Sequence, residues 1–258
     1  MANWVRFSSG DQIGFGTLDD ETILVHEGDM FHGAMPNGAR VELSDVALQT
    51  PCVPSKMIGL WNNFHALADK LGAARPDEPL YFQKSSNSYL ESGGIIHRPA
   101  AYSGRVVFEG ELGIVIGTLC KDVSEKDAPN IIFGYTCVND VTAFDIIDKD
   151  PTFAQWCRAK SFDTFAPFGP CIAAGLDPAN LHVRTVLNGD ERQNYPVADM
   201  IIPPLKIVSI LSREMTLFPG DIICCGTSVG AGSMKEDQNT VSVTIEGIGT
   251  LENLFVNA

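Results

Sequence analysis

A chain of 258 residues with 45 % hydrophobic side chains has ample material for a core, which excludes long disorder. A formal net charge of −14 leaves no basic stripe for phosphates and excludes a nucleic-acid surface or docking on anionic membranes. No apolar run approaches the roughly twenty residues of a membrane span, and the N-terminus lacks the pattern of a secretory signal.

Residues 1–50 alternate short strand-like runs with Gly- and Asp-containing turns, at Trp4–Phe7, Gln12–Gly16 and Thr22–His26. They read as a small β-rich domain. Pro51 and Pro54 mark a joint, and residues 51–258 read as the larger domain. A strand over Met57–Trp61 feeds a short helix over Asn63–Leu71, which Gly72 ends. Leu80–Gln83 is another short strand, and PAAYSG breaks the chain before a long strand over Arg105–Gly117. Ser124 to Asp127 resembles a capping box and predicts a short helix. Phe133–Asn139 reads as a buried strand ending at Asp140, and Thr152–Ala159 as a helix with Lys160 just beyond it. Leu181–Leu187, Asn188-Gly189 and Glu191–Tyr195 form a hairpin signal. Pro203–Arg213 suits a helix, Ile222–Cys225 a strand, and Thr240–Phe255 alternates again. Strands dominate, helices are short, and no βαβα repetition appears. The fold class is mixed β with short helices (α+β).

The long strand carries the chemistry. Residues two apart share a face, so Val106, Phe108, Gly110, Leu112, Ile114 and Ile116 make an apolar face. The other face holds Glu109 and Glu111 among Val107, Gly113 and Val115. A Glu-x-Glu pair is commonly a solvated face, but such a face carries Lys, Thr or Ser around its acids. Two carboxylates among small apolar neighbours repel each other and are costly to desolvate, and a cation removes both costs. Asp140 completes the set. Three carboxylates are hard oxygen ligands suited to Mg²⁺ or Mn²⁺, whereas zinc would recruit His or Cys.

Other motifs fail. Gly226-Thr227-Ser228-Val229-Gly230 matches the nucleophile elbow of α/β-hydrolases, yet every histidine precedes Ser228, and that fold needs one after it. The segment reads as a Gly-rich loop that lets backbone approach a ligand, or as a plain turn. No dinucleotide or P-loop signature occurs. The seven cysteines are odd in number and form no C-x-x-C, which points to buried reduced thiols in a cytoplasmic protein. Lys84 and Lys160 sit in apolar stretches, where a lysine either snorkels outward or meets an anion. A lone histidine such as His65 is more often structural than catalytic.

FEGELGIVIG, GYTCVNDVTAFD, RAKSFDTFAPFGP and PGDIICCGTSVGAG, in that order, resemble the fumarylacetoacetate hydrolase superfamily over about residues 56–255, in its 2-hydroxyhepta-2,4-diene-1,7-dioate isomerase and decarboxylase-like branch. The resemblance implies a mixed β-sandwich roll, a small N-terminal domain and a homodimer. It implies Mg²⁺ or Mn²⁺ on Glu109, Glu111 and Asp140. It makes Lys160 and His65 catalytic, the histidine as general base in a mobile helix, and Lys84, Thr227 and Asn63 substrate-binding. Departures from the family pattern concern water activation. The acid usually three residues after the histidine is Ala68 here, and Asp69 lies about 100° further round the helix. Phe144 and Ile147 replace an Arg and a Gln, and Ser228 replaces a Pro.

The leading expectation is a Mg²⁺- or Mn²⁺-dependent enzyme of small 2-oxo and 2-hydroxy-dienoic carboxylates in aromatic-compound breakdown. Isomerisation or decarboxylation is favoured over hydrolysis because the dyad is broken. The alternatives are an acylpyruvate- or fumarylacetoacetate-type C–C hydrolase, and a non-catalytic ligand-binding relative.

Overall fold

The computed structural model describes residues 2–257. Strands dominate it, and its α-helices are short: α1 (His65–Leu71), α2 (Trp156–Lys160) and α3 (Pro204–Glu214). This is the mixed β fold with short helices expected from the alternation pattern.

The largest sheet has twelve strands. Its centre is Gly110–Ile116, buried at every position and held antiparallel between Ile132–Asn139 and Ile222–Cys224. A strand covered on both faces needs a near-continuous apolar sequence, and this one has it. Leu112, Ile114 and Ile116 pack with Val183, Val243 and Ile245 of a second, five-stranded sheet. Val115 packs on the opposite face with Val138, Phe168 and Cys224. Beyond Ile222–Cys224 the sheet continues through Met57–Trp61, paired parallel, and Leu80–Lys84, paired antiparallel.

The first fifty residues form an antiparallel meander of Ala2–Ser9, Gln12–Asp19, Thr22–Glu27 and Met35–Glu42. Ala2–Ser9 also pairs with Ala166–Ala174, so the meander extends the large sheet. The joint that follows is latched by buried Asp221. Its carboxylate accepts from the Ser55 hydroxyl at 2.6 Å, the Lys56 N–H at 3.1 Å, the Phe218 N–H at 2.8 Å and the Lys56 ammonium.

The second sheet contains the expected hairpin, His182–Leu187 with Asp190–Pro196. Asn188 and Gly189 both have positive φ, 52° and 87°, which matches the twist of the flanking strands. Four expectations changed in detail. The single strand over Arg105–Gly117 breaks at Glu109, and Val106–Phe108 pairs instead with Thr142–Ala143 and Gly232–Ser233. Ser124 to Asp127 makes a turn followed by a 3₁₀ turn at Ala128–Asn130, because Pro129 lacks the N–H a second helical turn needs. The helix expected from Thr152 starts only at Trp156. Asp150 takes both the N–H and hydroxyl of Thr152, a local bond that competes with helix. Lys160 is therefore inside α2. The helix expected from Asn63 starts at His65, because Asn63 and Phe64 pair with Met200–Ile202.

Candidate active site

The strand break at Glu109 brings three carboxylates together. Among the described residues, one ligand atom each from Glu109, Glu111 and Asp140 lies within 4.8 Å of the others. Asp140 follows the strand Ile132–Asn139, and its N–H donates to the Glu109 carbonyl at 2.8 Å, which fixes the two chain segments together. The Thr142 hydroxyl donates to Glu109 Oε1 at 3.1 Å.

Both lysines meet anions. Lys160 Nζ donates to Asp140 Oδ2 at 2.6 Å and to Glu109 Oε2 at 2.7 Å. It also lies 5.0 Å from the centre of the Phe82 ring, which stacks on Trp156 of α2 and so ties that helix to the strand Leu80–Lys84. Lys84 Nζ donates to Asp140 Oδ1 at 2.5 Å and to the Val141 carbonyl at 3.3 Å. Its side chain has no exposed surface, and it serves as counter-ion to Asp140.

The electrostatics divide the three acids. Burial would raise the Asp140 carboxyl, but Lys160 and Lys84 outweigh it and hold Asp140 below the usual carboxylate range. Burial pushes Glu109 up, opposed by Lys160. Glu111 is pushed well up by burial and by Asp140. Among the described residues it has no ion-pair partner, and its one hydrogen bond is from the Gly226 N–H, at 2.8 Å. Desolvation would lower Lys160, yet Asp140, Glu109 and Glu111 hold it above its usual value. Lys84, fully buried with a single carboxylate partner, is lowered by desolvation.

Three carboxylates thus face two ammonium groups, and the unpaired one, Glu111, is as deeply buried as Asp140. That donor set fits a hard divalent cation. Glu109, with 16 % of its side chain exposed, is the acid open to solvent.

The loop after Ile222–Cys224 supplies the Gly226 N–H. Gly226 sits at φ +90°, and a Cβ there would press on the Leu60 carbonyl and Asn63. Thr227 is half-buried, with its hydroxyl donating to the Gly110 carbonyl at 2.9 Å and accepting from Gln193 at 2.8 Å. Ser228 is fully buried, and its hydroxyl has no partner, which is no setting for a nucleophile. The Asn63 amide donates to the carbonyls of Ile202 and Cys225 and accepts from the Ile202 N–H. Its donors are spent on backbone, so it works as a clamp between α1 and the Gly-Thr loop.

His65 is the half-buried first residue of α1. Asp69, one turn on, pairs with Arg75 at 2.9 Å instead of His65. Asp199 accepts the Ala66 N–H at 3.0 Å and caps the helix from another segment. Sequence reasoning missed Gln193 and Tyr195. Both lie in a hairpin whose alternation reads as an ordinary half-exposed strand, yet both reach the acidic strand. A cleft of about 560 Å³, lined by Tyr135, Leu176, Asp177 and Met200, holds none of these groups. No described helix is long and apolar enough to cross a membrane.

Residues 56–256 match the family model described as Fumarylacetoacetate (FAA) hydrolase C-terminal, and residues 3–51 match one described as Rv2993c-like, N-terminal. The chain is similar to a crystal structure of 2-hydroxyhepta-2,4-diene-1,7-dioate isomerase from Mycobacterium marinum, with TM-score 0.91, 38 % identity, and 100 % of this chain and 99 % of that one covered. Oxaloacetate tautomerase YisK of Bacillus subtilis (strain 168) is 35 % identical over 82 % of this chain and 73 % of its own. Maleylpyruvate hydrolase from Sphingobium sp. SYK-6, solved with manganese(II) and pyruvate, gives TM-score 0.79 at 26 % identity, covering 99 % of each chain.

Proposed function

The chain belongs to the fumarylacetoacetate hydrolase family, and on that premise we propose that it is a Mg²⁺- or Mn²⁺-dependent enzyme acting on small 2-oxo and 2-hydroxy-dienoic carboxylates. The reaction proposed is a proton shift between keto and enol forms, or decarboxylation, in aromatic-compound breakdown. The observation that carries this reading is the convergence of Glu109, Glu111 and Asp140 with an acid left unpaired. When bound, a divalent ion would polarise the adjacent oxygens of a 2-oxo acid. Glu109, Glu111 and Asp140 would hold it, and the manganese and pyruvate in the maleylpyruvate hydrolase structure support that assignment.

The chain's own residues do the rest. Lys160 adds positive charge where the substrate oxygen becomes electron-rich. Lys84 neutralises Asp140 from within the protein, so that Lys160 is not fully spent on it. Thr227 lines the site, and Asn63 fixes the loop that carries it. His65 accepts or returns the carbon-bound proton through its imidazole. Because Asp69 is paired with Arg75, His65 lacks the acid that would drive water activation, and this favours isomerisation or decarboxylation over hydrolysis. The isomerase and tautomerase relatives support the same preference. We read the enzyme as cytoplasmic and homodimeric, with residues 1–50 as a small appended domain.

The test is turnover of 2-oxo and 2-hydroxy-dienoic dicarboxylates with Mg²⁺ or Mn²⁺, with CO₂ release, tautomerisation and C–C hydrolysis measured separately. Metal-dependent tautomerisation or CO₂ release is expected. Full turnover by Glu109→Ala would remove the metal from the account. Hydrolysis of acylpyruvates that His65→Ala abolishes would make the chain a hydrolase.

A further inference from the structure

The acidic strand has an unusual edge at Gly110. Both backbone groups of this residue point away from Ile132–Asn139. The neighbour on that side, Ile222–Cys224, pairs only with Gly113 to Val115, and the chain then turns off at Gly226. No strand covers Gly110 on this edge, and a buried N–H and carbonyl there need partners. Side chains supply them. Gln193 Oε1 accepts the Gly110 N–H at 3.0 Å, while the Tyr195 hydroxyl, at 2.5 Å, and the Thr227 hydroxyl, at 2.9 Å, both donate to its carbonyl. The Gln193 amide is committed further: Nε2 donates to Thr227 Oγ1 at 2.8 Å and to the Ser228 carbonyl at 3.2 Å. Gln193 is 1 % exposed and so is sealed in this arrangement.

We infer that Gln193 is a positioning residue for the acidic centre: it fixes Gly110, and with it the angle between Glu109 and Glu111, and it locks the Gly-Thr loop that orients Glu111. The inference rests on the metal reading above. The reasoning is geometric. Glu109 and Glu111 flank Gly110, and alternation would place their side chains on one face, side by side. Their convergence with Asp140 depends on how the backbone turns at the break between Val106–Phe108 and Gly110–Ile116. That turn has one hydrogen-bonded side from Asn139 and Asp140, and the other side is Gln193 and Tyr195. The same amide reaches the residues just after Gly226, whose N–H is the only recorded donor to Glu111. One side chain therefore spans both supports of the least-compensated acid. Partners that orient a ligand are worth about 10–100-fold in metal affinity.

The experiment is Mn²⁺ affinity, read by electron paramagnetic resonance, alongside the metal-free melting temperature and circular dichroism, for the full chain and Gln193→Met. Methionine fills the same space without the hydrogen bonds. The expected result is a folded variant whose Mn²⁺ affinity falls about tenfold or more. Tyr195→Phe, which removes one of two donors to the Gly110 carbonyl, is expected to lose about threefold, and it carries the test if Gln193→Met does not fold. A lower metal-free melting temperature with Mn²⁺ affinity within twofold of the parent, in either folded variant, would overturn the inference and leave Gln193 merely structural. If the parent chain itself binds no Mn²⁺, the metal reading fails first and this inference falls with it.

Discussion

Gly110→Ala isolates what the close approach of the two sheets is worth. A Cβ at Gly110 would come well inside 3.0 Å of Thr185 Oγ1 and lie 3.2 Å from Val243 Cγ2. One of the two other Thr185 rotamers does not help, because its methyl would take the place of the hydroxyl. Nor can the backbone retreat, since Gln193, Tyr195 and Thr227 hold both groups of Gly110. Overpacking costs about 1–3 kcal/mol, and the pinned backbone puts this site at the upper end. At about 2–4 °C per kcal/mol for a chain of this size, the melting temperature should fall by roughly 6–12 °C. The Thr185 hydroxyl is buried without a partner, so Thr185→Ala alone should be close to neutral, within about 1 kcal/mol, as a desolvated hydroxyl is exchanged for a small void. In the double variant the new methyl occupies the vacated space. Thermal melts of all four proteins should then give a favourable coupling of about 2 kcal/mol. Strict additivity, within about 0.5 kcal/mol, would refute the steric argument.

Glu111→Gln should leave the metal-free protein at least as stable, because it removes a buried charge with no cation, while abolishing any rise in melting temperature on adding Mn²⁺; calorimetric melts with and without the ion check both. The Mn²⁺-induced rise should itself depend on pH. Burial lifts the Glu109 and Glu111 carboxyls above the ordinary glutamate value of about 4.3, so protons compete with the ion as pH falls through those raised values. The increment should be full at pH 8 and shrink on acidification, and a constant increment down to pH 5 would contradict the assignment. Thiol titration of the native protein should find one fast cysteine per chain, exposed Cys157, and the other six only in denaturant. Cys52, pushed up to about 12 by burial, should be among the slow ones.

Much of the centre was legible because charge in an apolar run has few explanations. Glu109 and Glu111 stood out by the cost of burying unpaired charge, while for Lys84 and Lys160 the same cost left two readings, snorkelling outward or meeting an anion, and the structure shows the second. The hairpin at Asn188-Gly189 and the helix α3 followed from turn and cap chemistry. What stayed hidden depended on distant pairing. The break at Glu109 is invisible in an alternating sequence, because it exists only where Asn139 and Asp140 reach across. Gln193 reads as one polar residue among several in Asp190–Pro196, and nothing local marks it as the one turned inward. Asn63 and Lys84 were expected to meet the substrate, and in the structure their polar groups bond Ile202 and Cys225, and Asp140.

The links that finish this centre join remote parts of the chain: 115 positions separate Glu111 from Gly226, and 83 separate Gly110 from Gln193. Translation at about 5–20 residues per second leaves the acidic strand waiting roughly 6–23 s for its last partner to be made. A nascent polypeptide halted before residue 226 carries every carboxylate and neither the loop nor its closing N–H. On the metal reading proposed above, ion capture would wait until residue 226 has been made, and a product truncated before it would hold the ion poorly.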